Sequence, residues 1–195
     1  RVLFRSTKAE LIKEIQKKQS YLCVGLDVDW EKIPEHLKNE KNPLEAFIEP
    51  IVEATKRYAV AYKFNLAFYE QMGSEVLDQL EMIVEGMPKD CFIIGDAKRG
   101  DIGNTASMYA ESLFDVYNFD AATVAPYMGK DSVTPFLDYE DKWTILLALT
   151  SNPGADDFQK LEVKNAKGET KMLFEEVLSV SKKWGSKENT MYVVG

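Results

Sequence analysis

The sequence predicts an α/β protein of the (β/α)8 TIM-barrel class, with about six of the eight βα units present. Short apolar runs alternate along the chain with longer runs of helical periodicity. Apolar strands separated by helices are typical of a parallel sheet covered on both faces. Polar residues follow successive strands, at Asp27, Lys63, Asp96 and Thr150. Barrel enzymes carry their chemistry at this edge, where the carboxyl ends of the strands meet.

Two parallel α/β arrangements fit this alternation, a doubly wound sheet and a barrel. A dinucleotide-binding sheet carries a glycine-rich turn after its first strand, whereas here the first apolar run continues into Leu26-Asp-Val-Asp29. The G-x-x-x-x-G-K-[ST] phosphate loop does not occur in the sequence either. The barrel is therefore the better interpretation. Because a complete barrel takes about 250 residues, we expect this chain of 195 residues to stop before the last two βα units.

Five segments are predicted as helices from their periodicity and their ends. The first, residues 7–18, places Leu11, Ile12 and Ile15 at helical spacing. The second begins at Pro43, because proline is favoured in the first turn of a helix, and continues to about residue 58. The other helices are predicted at residues 74–85, 104–117 and 172–184.

Six short apolar runs are predicted as strands. The first, residues 21–26, ends at Asp27 and is typical of a buried strand. The others are predicted at residues 60–64, 91–95, 121–124, 143–149 and 191–194. Neither a linker nor a low-complexity segment interrupts the series, so residues 7–195 are expected to form a single partial barrel domain.

Residues 1–6, with the sequence RVLFRS, have no place in this pattern and no initiating methionine. We interpret them as a leader that is not native to the protein, with native sequence beginning near Thr7. At the other end, a strand delivers its last residue at Gly195 without a covering helix. That ending is the second reason to expect an incomplete barrel.

Composition excludes several classes of protein. The net charge is −8, from 24 basic and 32 acidic residues, which argues against a nucleic-acid binder. No apolar run approaches the roughly 18 residues of a membrane span. Cys23 and Cys91 both lie in apolar runs, and we expect reduced, buried thiols in a cytoplasmic protein. The single histidine, His36, is expected on the surface, and no spacing of Cys or His predicts a zinc site.

The strongest functional pattern is Gly95-Asp-Ala-Lys-Arg-Gly-Asp-Ile-Gly-Asn-Thr105. Side chains alternate along a strand, so Asp96 and Lys98 are expected to point the same way at its end, with Asp101 in the following turn. Two carboxylates around one ammonium would keep it protonated. The alternative is an ordinary surface ion pair. Because a wholly apolar run precedes Asp96, an active site is the preferred interpretation.

Lys63 strengthens this interpretation because it interrupts the apolar run of residues 60–64. A lysine inside a core needs a carboxylate partner, although it could also extend past the strand end to solvent. Asp27, at the end of the first strand, offers a further acid at the same edge, although alone it could simply begin a turn. Together, Lys63, Asp96, Lys98 and Asp101 form a predicted array of alternating charges.

These residues resemble the orotidine 5'-phosphate decarboxylase family, in the form of its longer bacterial branch. The resemblance extends from about Thr7 to the end of the chain. The matching motifs are Gly25-Leu-Asp27, Tyr62-Lys-Phe64, the D-x-K-x-x-D run from Asp96 to Asp101 with Ile102 and Thr105, and Thr150-Ser-Asn-Pro-Gly154. The D-x-K-x-x-D core also occurs in related barrel enzymes, so the extended motif and the Thr150–Gly154 run carry the specificity.

The resemblance implies decarboxylation of orotidine 5'-phosphate to UMP, a step of pyrimidine biosynthesis, without a metal or organic cofactor. It implies that Lys98 is the proton donor, that Asp96 lies against the departing carboxylate, and that Lys63 bridges Asp96 and the ribose. Asp27 and Thr105 would bind ribose hydroxyls. Ser151 is preferred over Thr150 as the hydroxyl that contacts the pyrimidine edge.

The resemblance also implies a homodimer in which Asp101, Ile102 and Thr105 reach the neighbouring subunit's site. The phosphate grip of such barrels comes from loops after the seventh and eighth strands, which this sequence lacks, so we expect feeble activity at best from the 195 residues alone. Three alternatives stay open: a magnesium-dependent enzyme like hexulose-phosphate synthase, a non-catalytic phosphosugar-binding barrel, and buried ion pairs that serve only the fold.

Overall fold

The structure, a computed structural model, describes residues 7–195. The predicted leader, residues 1–6, lies outside the described residues. Within the described part, the chain divides into two compact units. The first unit contains residues 7–97 and Glu111–Ala121, and the second contains Lys98–Ala110 and Ala122–Gly195.

Helices and strands alternate through both units. The helices are α1 (Lys8–Lys18), α2 (Glu35–Lys38), α3 (Pro43–Thr55), α4 (Leu66–Glu70), α5 (Ser74–Gly86), α6 (Gly103–Glu111), α7 (Thr134–Leu137) and α8 (Leu173–Ser181). The strands are β1 (Leu22–Gly25), β2 (Ala59–Asn65), β3 (Phe92–Arg99), β4 (Ala121–Val124), β5 (Trp143–Leu149), β6 (Glu162–Lys164), β7 (Thr170–Met172) and β8 (Thr190–Val194). Six of these strands follow one another in one sheet in the order β1-β2-β3-β4-β5-β8.

The first unit begins with a helix whose ends the sequence specifies. Thr7 caps α1 by accepting from the Glu10 backbone N–H, and the Glu10 carboxylate accepts from the Thr7 backbone N–H in return. At the other end Gln19 adopts φ 48°, the left-handed conformation that closes a helix. The helix therefore occupies nearly the range that its periodicity predicts.

Parallel pairing in the first unit aligns the ends of its three strands. Gly25 of β1 pairs with Lys63 of β2, and Asn65 of β2 pairs with Asp96 of β3. The polar residues that follow or end these strands therefore come to one edge. This register is what places the candidate site of the first unit.

Aromatic packing fixes the middle of β3 in the first unit. Phe64 and Phe119 are both fully buried, with ring centroids 6.0 Å apart. Gly95 lies directly beneath the Phe119 ring, where an added Cβ would come within 2.7 Å of a ring carbon. Asp120 is also buried, and its carboxylate accepts from the Ile93 backbone N–H at 2.8 Å. Glycine at position 95 is thus required by the close approach of the ring.

In the second unit β5 pairs in parallel with β8, from Thr144 opposite Thr190 onward. Strand β4 is fully buried, and β5 is buried over most of its length. Strands β6 and β7 form a separate antiparallel hairpin, which the sequence analysis does not anticipate. The predicted helix over residues 104–117 is divided, because α6 ends at Glu111 and a π-helical turn, Ser112–Val116, follows it.

The prediction that both cysteines are buried is wrong for Cys23. Cys91 is fully buried, whereas Cys23 is exposed, and so is most of β1. The physical reason is that β1 lies at the end of the strand order and has a sheet neighbour on one side only. His36 is exposed as predicted, although it lies in the short helix α2. Among residues 7–195, no helix combines the length and apolarity needed to cross a membrane.

Candidate active site

In the first unit, three charged residues meet where β1, β2 and β3 end. The ammonium nitrogen of Lys63 lies 3.2 Å from Asp27 Oδ1 and 3.3 Å from Asp96 Oδ2. This ion-pair arrangement confirms the expectation that Lys63 has a carboxylate partner. We call these three residues the Lys63 triad.

The sequence places Lys63 here because β2 is otherwise buried. Its neighbours Tyr62 and Phe64 are fully buried, whereas the Lys63 side chain is about a third exposed, at 31%. The backbone N–H of Leu26 donates to the Lys63 carbonyl oxygen at 2.8 Å, which extends the β1–β2 pairing toward Asp27. The Lys63 backbone and ammonium thus both fix the segment that carries Asp27.

Two further hydrogen bonds, one to Asp27 and one to the preceding residue Leu26, hold this segment in place. Its Oδ1 accepts from the Asn65 backbone N–H at 3.3 Å. The Tyr69 hydroxyl donates to the carbonyl oxygen of Leu26 at 2.5 Å. Burial raises the pKa of Tyr69 far above its usual value, and the nearby Asp27 charge raises it further, so this hydroxyl stays a donor at every physiological pH. The sequence offers no local signal for the role of Tyr69.

Charge and burial divide the triad into two kinds of ion pair. The Asp96 side chain is only 9% exposed, so its negative charge requires a nearby cation or several donors. Asp27 and Lys63 are each exposed over about a third of the side chain, 37% and 31%, so water screens their attraction. Lys63 therefore contributes positive charge close to the buried Asp96.

Cys23 is a neighbouring group that the sequence analysis does not assign to a site. Partial burial of its thiol raises its pKa, the Lys63 ammonium lowers it and the Asp27 carboxylate raises it. The net effect is upward, so Cys23 is a neutral thiol near pH 7. It therefore adds no charge beside the Lys63 triad.

In the second unit, Lys98 lies near the end of β3 in an unusual backbone conformation. Its φ is 48°, in the left-handed region, and its backbone N–H donates to Thr123 Oγ1 at 2.9 Å. Regular alternation of side chains requires extended backbone, so the premise that placed Asp96 and Lys98 on one side fails at Lys98. The side chain of Lys98 is exposed.

The turn after Lys98 leads directly into α6. The Arg99 carbonyl oxygen accepts from the Ala125 backbone N–H at 2.7 Å, which ties the turn to the residue after β4. Asp101 is half-buried, and its Oδ1 accepts from the Ile102 backbone N–H at 2.7 Å. Ile102 and Thr105 are both exposed. The structure thus presents these two predicted binding residues at the surface of the second unit.

The segment after β5 carries Ser151 on a loop with its own hydrogen bonds. Thr150 donates its backbone N–H to Gln159 Oε1 at 2.7 Å, and its hydroxyl lies 2.6 Å from Asn152 Oδ1. Ser151 itself is exposed. Gly195 packs against this serine, since an added Cβ there would lie 3.1 Å from Ser151 Cβ. No sequence motif indicates Gln159 as a partner of Thr150.

The predicted site residues therefore fall into two sets. The structure brings Asp27, Lys63 and Asp96 together in the first unit. Lys98, Asp101, Ile102, Thr105 and Ser151 belong to the second unit. Among the residues that the structure describes, no three His, Cys, Asp or Glu side chains are grouped as metal ligands.

Comparison with known proteins decides the family. The model of the orotidine 5'-phosphate decarboxylase / HUMPS family matches residues 20–191. The chain belongs to this family. It is 56% identical over 192 residues to orotidine 5'-phosphate decarboxylase of Phocaeicola vulgatus, covering 96% of the chain and 69% of that protein. It is 55% identical to the decarboxylase of Bacteroides fragilis, over 96% of the chain and 68% of that protein.

Solved structures of the orotidine 5'-phosphate decarboxylase family agree with the fold. The orotidine-monophosphate decarboxylase from Toxoplasma gondii superposes with a TM-score of 0.82 at 36% identity, over 90% of this chain and 58% of that one. OMP decarboxylase from Leishmania donovani gives 0.80 at 35% identity, over 95% of this chain and 70% of that one. The prediction of an incomplete barrel of this class is confirmed.

Proposed function

We propose that the chain forms the major part of an orotidine 5'-phosphate decarboxylase, which converts orotidine 5'-phosphate to UMP in pyrimidine biosynthesis without a metal or organic cofactor. The observation that carries the proposal is the Lys63 triad, because it places an ammonium between two carboxylates at neighbouring strand ends. Relatives at 55 and 56% identity, named as this decarboxylase, support the same conclusion. A magnesium-dependent sister enzyme is the second candidate that the D-x-K-x-x-D motif would allow.

Loss of CO2 leaves negative charge on a pyrimidine carbon that has no adjacent carbonyl group to accept it. The protein must stabilise this charge with groups that are already in position, and then supply a proton. Lys98 would do both, first as the facing ammonium and then as general acid. Asp96 would lie near the departing carboxylate, where its charge favours departure.

Lys63 would serve the reaction by fixing the charge of Asp96. The Asp96 side chain is only 9% exposed, and a buried carboxylate needs nearby donors or cations to keep its charge and orientation. Lys63 supplies one such cation to Asp96, and its second bond, to Asp27, orients the ammonium. Asp27, about a third exposed, keeps oxygen atoms available to a ribose hydroxyl. Thr105 would bind the ribose as well.

Ser151 is the better of the two candidate hydroxyls for the pyrimidine edge. The Thr150 hydroxyl already has two side-chain partners, since it accepts from Gln159 Nε2 at 2.9 Å and lies 2.6 Å from Asn152 Oδ1. The single proton of the Thr150 hydroxyl is donated to Asn152 Oδ1, the shorter of the two contacts. Ser151 is exposed and precedes Asn152 in the family motif. The geometry therefore supports Ser151.

We also propose a homodimer in which Asp101, Ile102 and Thr105 complete the site of the partner subunit. The support is an exposed apolar surface in this part of the second unit, where Ile102 is 56% exposed and Met108 is 52% exposed. Ile102 directly precedes α6 and Met108 lies within it, and exposed apolar side chains of this kind would be covered by a partner subunit. A cytoplasmic location fits the two free cysteines, because disulfides are rare in that compartment.

The decisive experiment follows the ultraviolet absorbance of orotidine 5'-phosphate with a purified protein that contains this whole chain. Wild type is compared with Lys98→Ala and with Lys183→Ala, a control at an exposed lysine. We expect turnover in wild type and the control, and its loss in Lys98→Ala. Excess EDTA should leave turnover unchanged, whereas a magnesium-dependent enzyme would stop. Full turnover in Lys98→Ala would overturn the assignment.

A further inference from the structure

A closed ring of hydrogen bonds holds the loop that carries Ser151. Gln159 Oε1 accepts from the Thr150 backbone N–H at 2.7 Å, and Gln159 Nε2 donates to Thr150 Oγ1 at 2.9 Å. The Thr150 hydroxyl in turn donates to Asn152 Oδ1 at 2.6 Å; a longer contact of 3.3 Å joins it to Gln159 Oε1. Both ends of the Gln159 amide are thus engaged by the residue before Ser151.

The backbone completes this ring on the other side. The Ala155 N–H donates to the carbonyl oxygen of Asn152 at 3.0 Å, and the Gln159 N–H donates to the carbonyl oxygen of Ala155 at 2.8 Å. Ala155 is buried and anchors the short 3-10 helix Pro153–Asp157 between these two bonds. These bonds hold the Gln159 backbone at a fixed place in the turn, within reach of Thr150.

A third contact limits Ser151 from the side of β8. The Gly195 backbone N–H donates to the carbonyl oxygen of Leu149 at 2.9 Å. At that position an added Cβ would lie 3.1 Å from both the backbone nitrogen and Cβ of Ser151. Ser151 is thus fixed between the Gln159 ring and the backbone of Gly195, while its side chain stays exposed.

We infer that Gln159 is a positioning residue that sets the hydroxyl of Ser151 for the pyrimidine edge of the nucleotide. This inference rests on the proposed function. An exposed loop without such bonds would have to be ordered when the base binds, and that ordering would weaken binding. The ring orders the loop in advance, and its half-buried position strengthens each bond. Gln159 therefore acts through Ser151 and need not touch the nucleotide.

A substitution of Gln159 should weaken binding of the pyrimidine base but not binding of the ribose phosphate. Gln159→Met keeps the length of the side chain but removes both amide partners of Thr150. We expect UMP affinity and kcat/KM for orotidine 5'-phosphate to fall about tenfold, in the range that a displaced contact group causes. Affinity for ribose 5-phosphate, which has no base, should change less than about twofold, within the scatter of distant sites. Gln16→Met, on the exposed surface of α1, is the matched control.

A double-mutant cycle with Ser151→Ala tests whether Gln159 acts through that serine. If it does, the combined variant binds UMP about as weakly as Ser151→Ala alone, because the interaction partner is already gone. A variant that merely weakened the fold would instead multiply the two losses. Melting temperatures of all four proteins show that binding is measured below the unfolding transition.

Gln159→Glu supplies a pH readout that a structural role would not produce. Its carboxylate accepts from the Thr150 N–H but cannot donate to Thr150 Oγ1, whereas the protonated acid can do both. The ratio of wild-type to Gln159→Glu affinity for UMP should therefore shrink as pH falls toward the carboxyl pKa. The phosphate of UMP titrates equally in both proteins, so its effect cancels in the ratio.

The outcomes separate this inference from the proposed function. Wild type that neither turns over orotidine 5'-phosphate nor binds UMP overturns the proposed function and the inference with it. Turnover in wild type together with unchanged UMP affinity in Gln159→Met overturns the inference alone. So does an equal loss of ribose 5-phosphate affinity, or multiplied losses in the double variant. The positioning role is established if Gln159→Met loses affinity for UMP but not for ribose 5-phosphate, and if the double variant binds UMP no more weakly than Ser151→Ala alone.

Discussion

Lys18 places its ammonium nitrogen 2.9 Å from the carbonyl oxygen of Ala59, the first residue of β2. The same nitrogen lies 3.1 Å from the Lys56 carbonyl oxygen and 3.2 Å from Asp90 Oδ2. The Lys18 side chain is only 4% exposed. The last turn of α1 is therefore bonded to the end of α3 and to the starts of β2 and β3, at the edge of the first unit opposite the Lys63 triad.

Replacement of Lys18 by methionine should destabilise the protein strongly. Lys18→Met removes the ammonium that donates to the carbonyl oxygens of Lys56, Ala59 and Asp90, and we expect the free energy of unfolding to fall by about 2–4 kcal/mol. Lys17→Met is the matched control, since Lys17 is mostly exposed and paired with Glu14; it should cost less than about 1 kcal/mol. Urea unfolding measures both. Equal losses in the two variants would contradict the role of Lys18.

The contribution of Lys18 should depend on pH in the alkaline range. Burial alone would lower the pKa of Lys18, but Cys91 and Asp90 outweigh it, so the pKa is raised above 10.5 in the folded state. The stabilisation is therefore fully present below the unfolded pKa and lost as pH rises through the folded pKa. The difference in unfolding free energy between wild type and Lys18→Met should stay constant from pH 7 to 9 and shrink above pH 10.5. A difference that grows with pH would reverse the assigned sign.

Lys63→Met should impair turnover more than stability. The variant removes the Lys63 ammonium, 3.3 Å from the nearly buried Asp96, and so weakens the preorganised charge at this edge. We expect kcat/KM to fall about 10²- to 10³-fold, which is typical when a preorganised charge is lost. Lys56→Met is the control, because Lys56 forms an exposed ion pair with Glu53. A loss of less than fivefold in Lys63→Met would remove the triad from the mechanism.

Gly95→Ala should destabilise the first unit by overpacking. The new methyl group would lie within 2.7 Å of the Phe119 ring, which is fully buried, and we expect a cost of about 1–3 kcal/mol. Phe119→Leu in the same protein should recover part of that loss, since the smaller side chain opens space. Gly86→Ala is the control, because nothing lies within 4 Å of its added Cβ. Thermal unfolding distinguishes the three variants.

Mixed dimers test the shared site. Asp101→Ala and Lys98→Ala should each be inactive alone, but a heterodimer would contain one site with both native residues. After equal mixing and re-equilibration, half of the dimers are mixed, so we expect about a quarter of wild-type activity. Mixing Lys98→Ala with Lys63→Met is the control, because the proposal assigns both residues to the same subunit's site. Activity no greater than in the separate variants would contradict the shared site.

Sequence periodicity predicts the parallel strands well because most of their side chains are apolar. Strands β4 and β5 have the predicted bounds, since each apolar run ends at a polar or loop residue. The β6–β7 hairpin is not predicted by periodicity, because its residues are largely exposed and polar. Only Asn165 and Gly168 indicate its turn. A bonded loop such as that of Gln159 depends on side chains nine residues apart, which no local pattern encodes.

The site residues divide in the same way. The partnership of Lys63 with acids follows from its place in an apolar run, because buried charge must be compensated. The conformation of Lys98 does not follow from any propensity, since lysine has no preference for positive φ. The exposure of Cys23 depends on the position of β1 in the sheet, which is a property of the whole strand order.

The left-handed backbone at Lys98 is unfavourable for the stability of the fold, although the proposed reaction needs a lysine at this position. A non-glycine residue in that conformation costs roughly 1–2 kcal/mol, which glycine would largely avoid. The proposed function gives a reason for lysine at this position, because its ammonium would face the charge on the pyrimidine and then donate the proton. Selection for heat resistance would therefore favour glycine at position 98, and on the proposed mechanism the more durable protein would be catalytically silent.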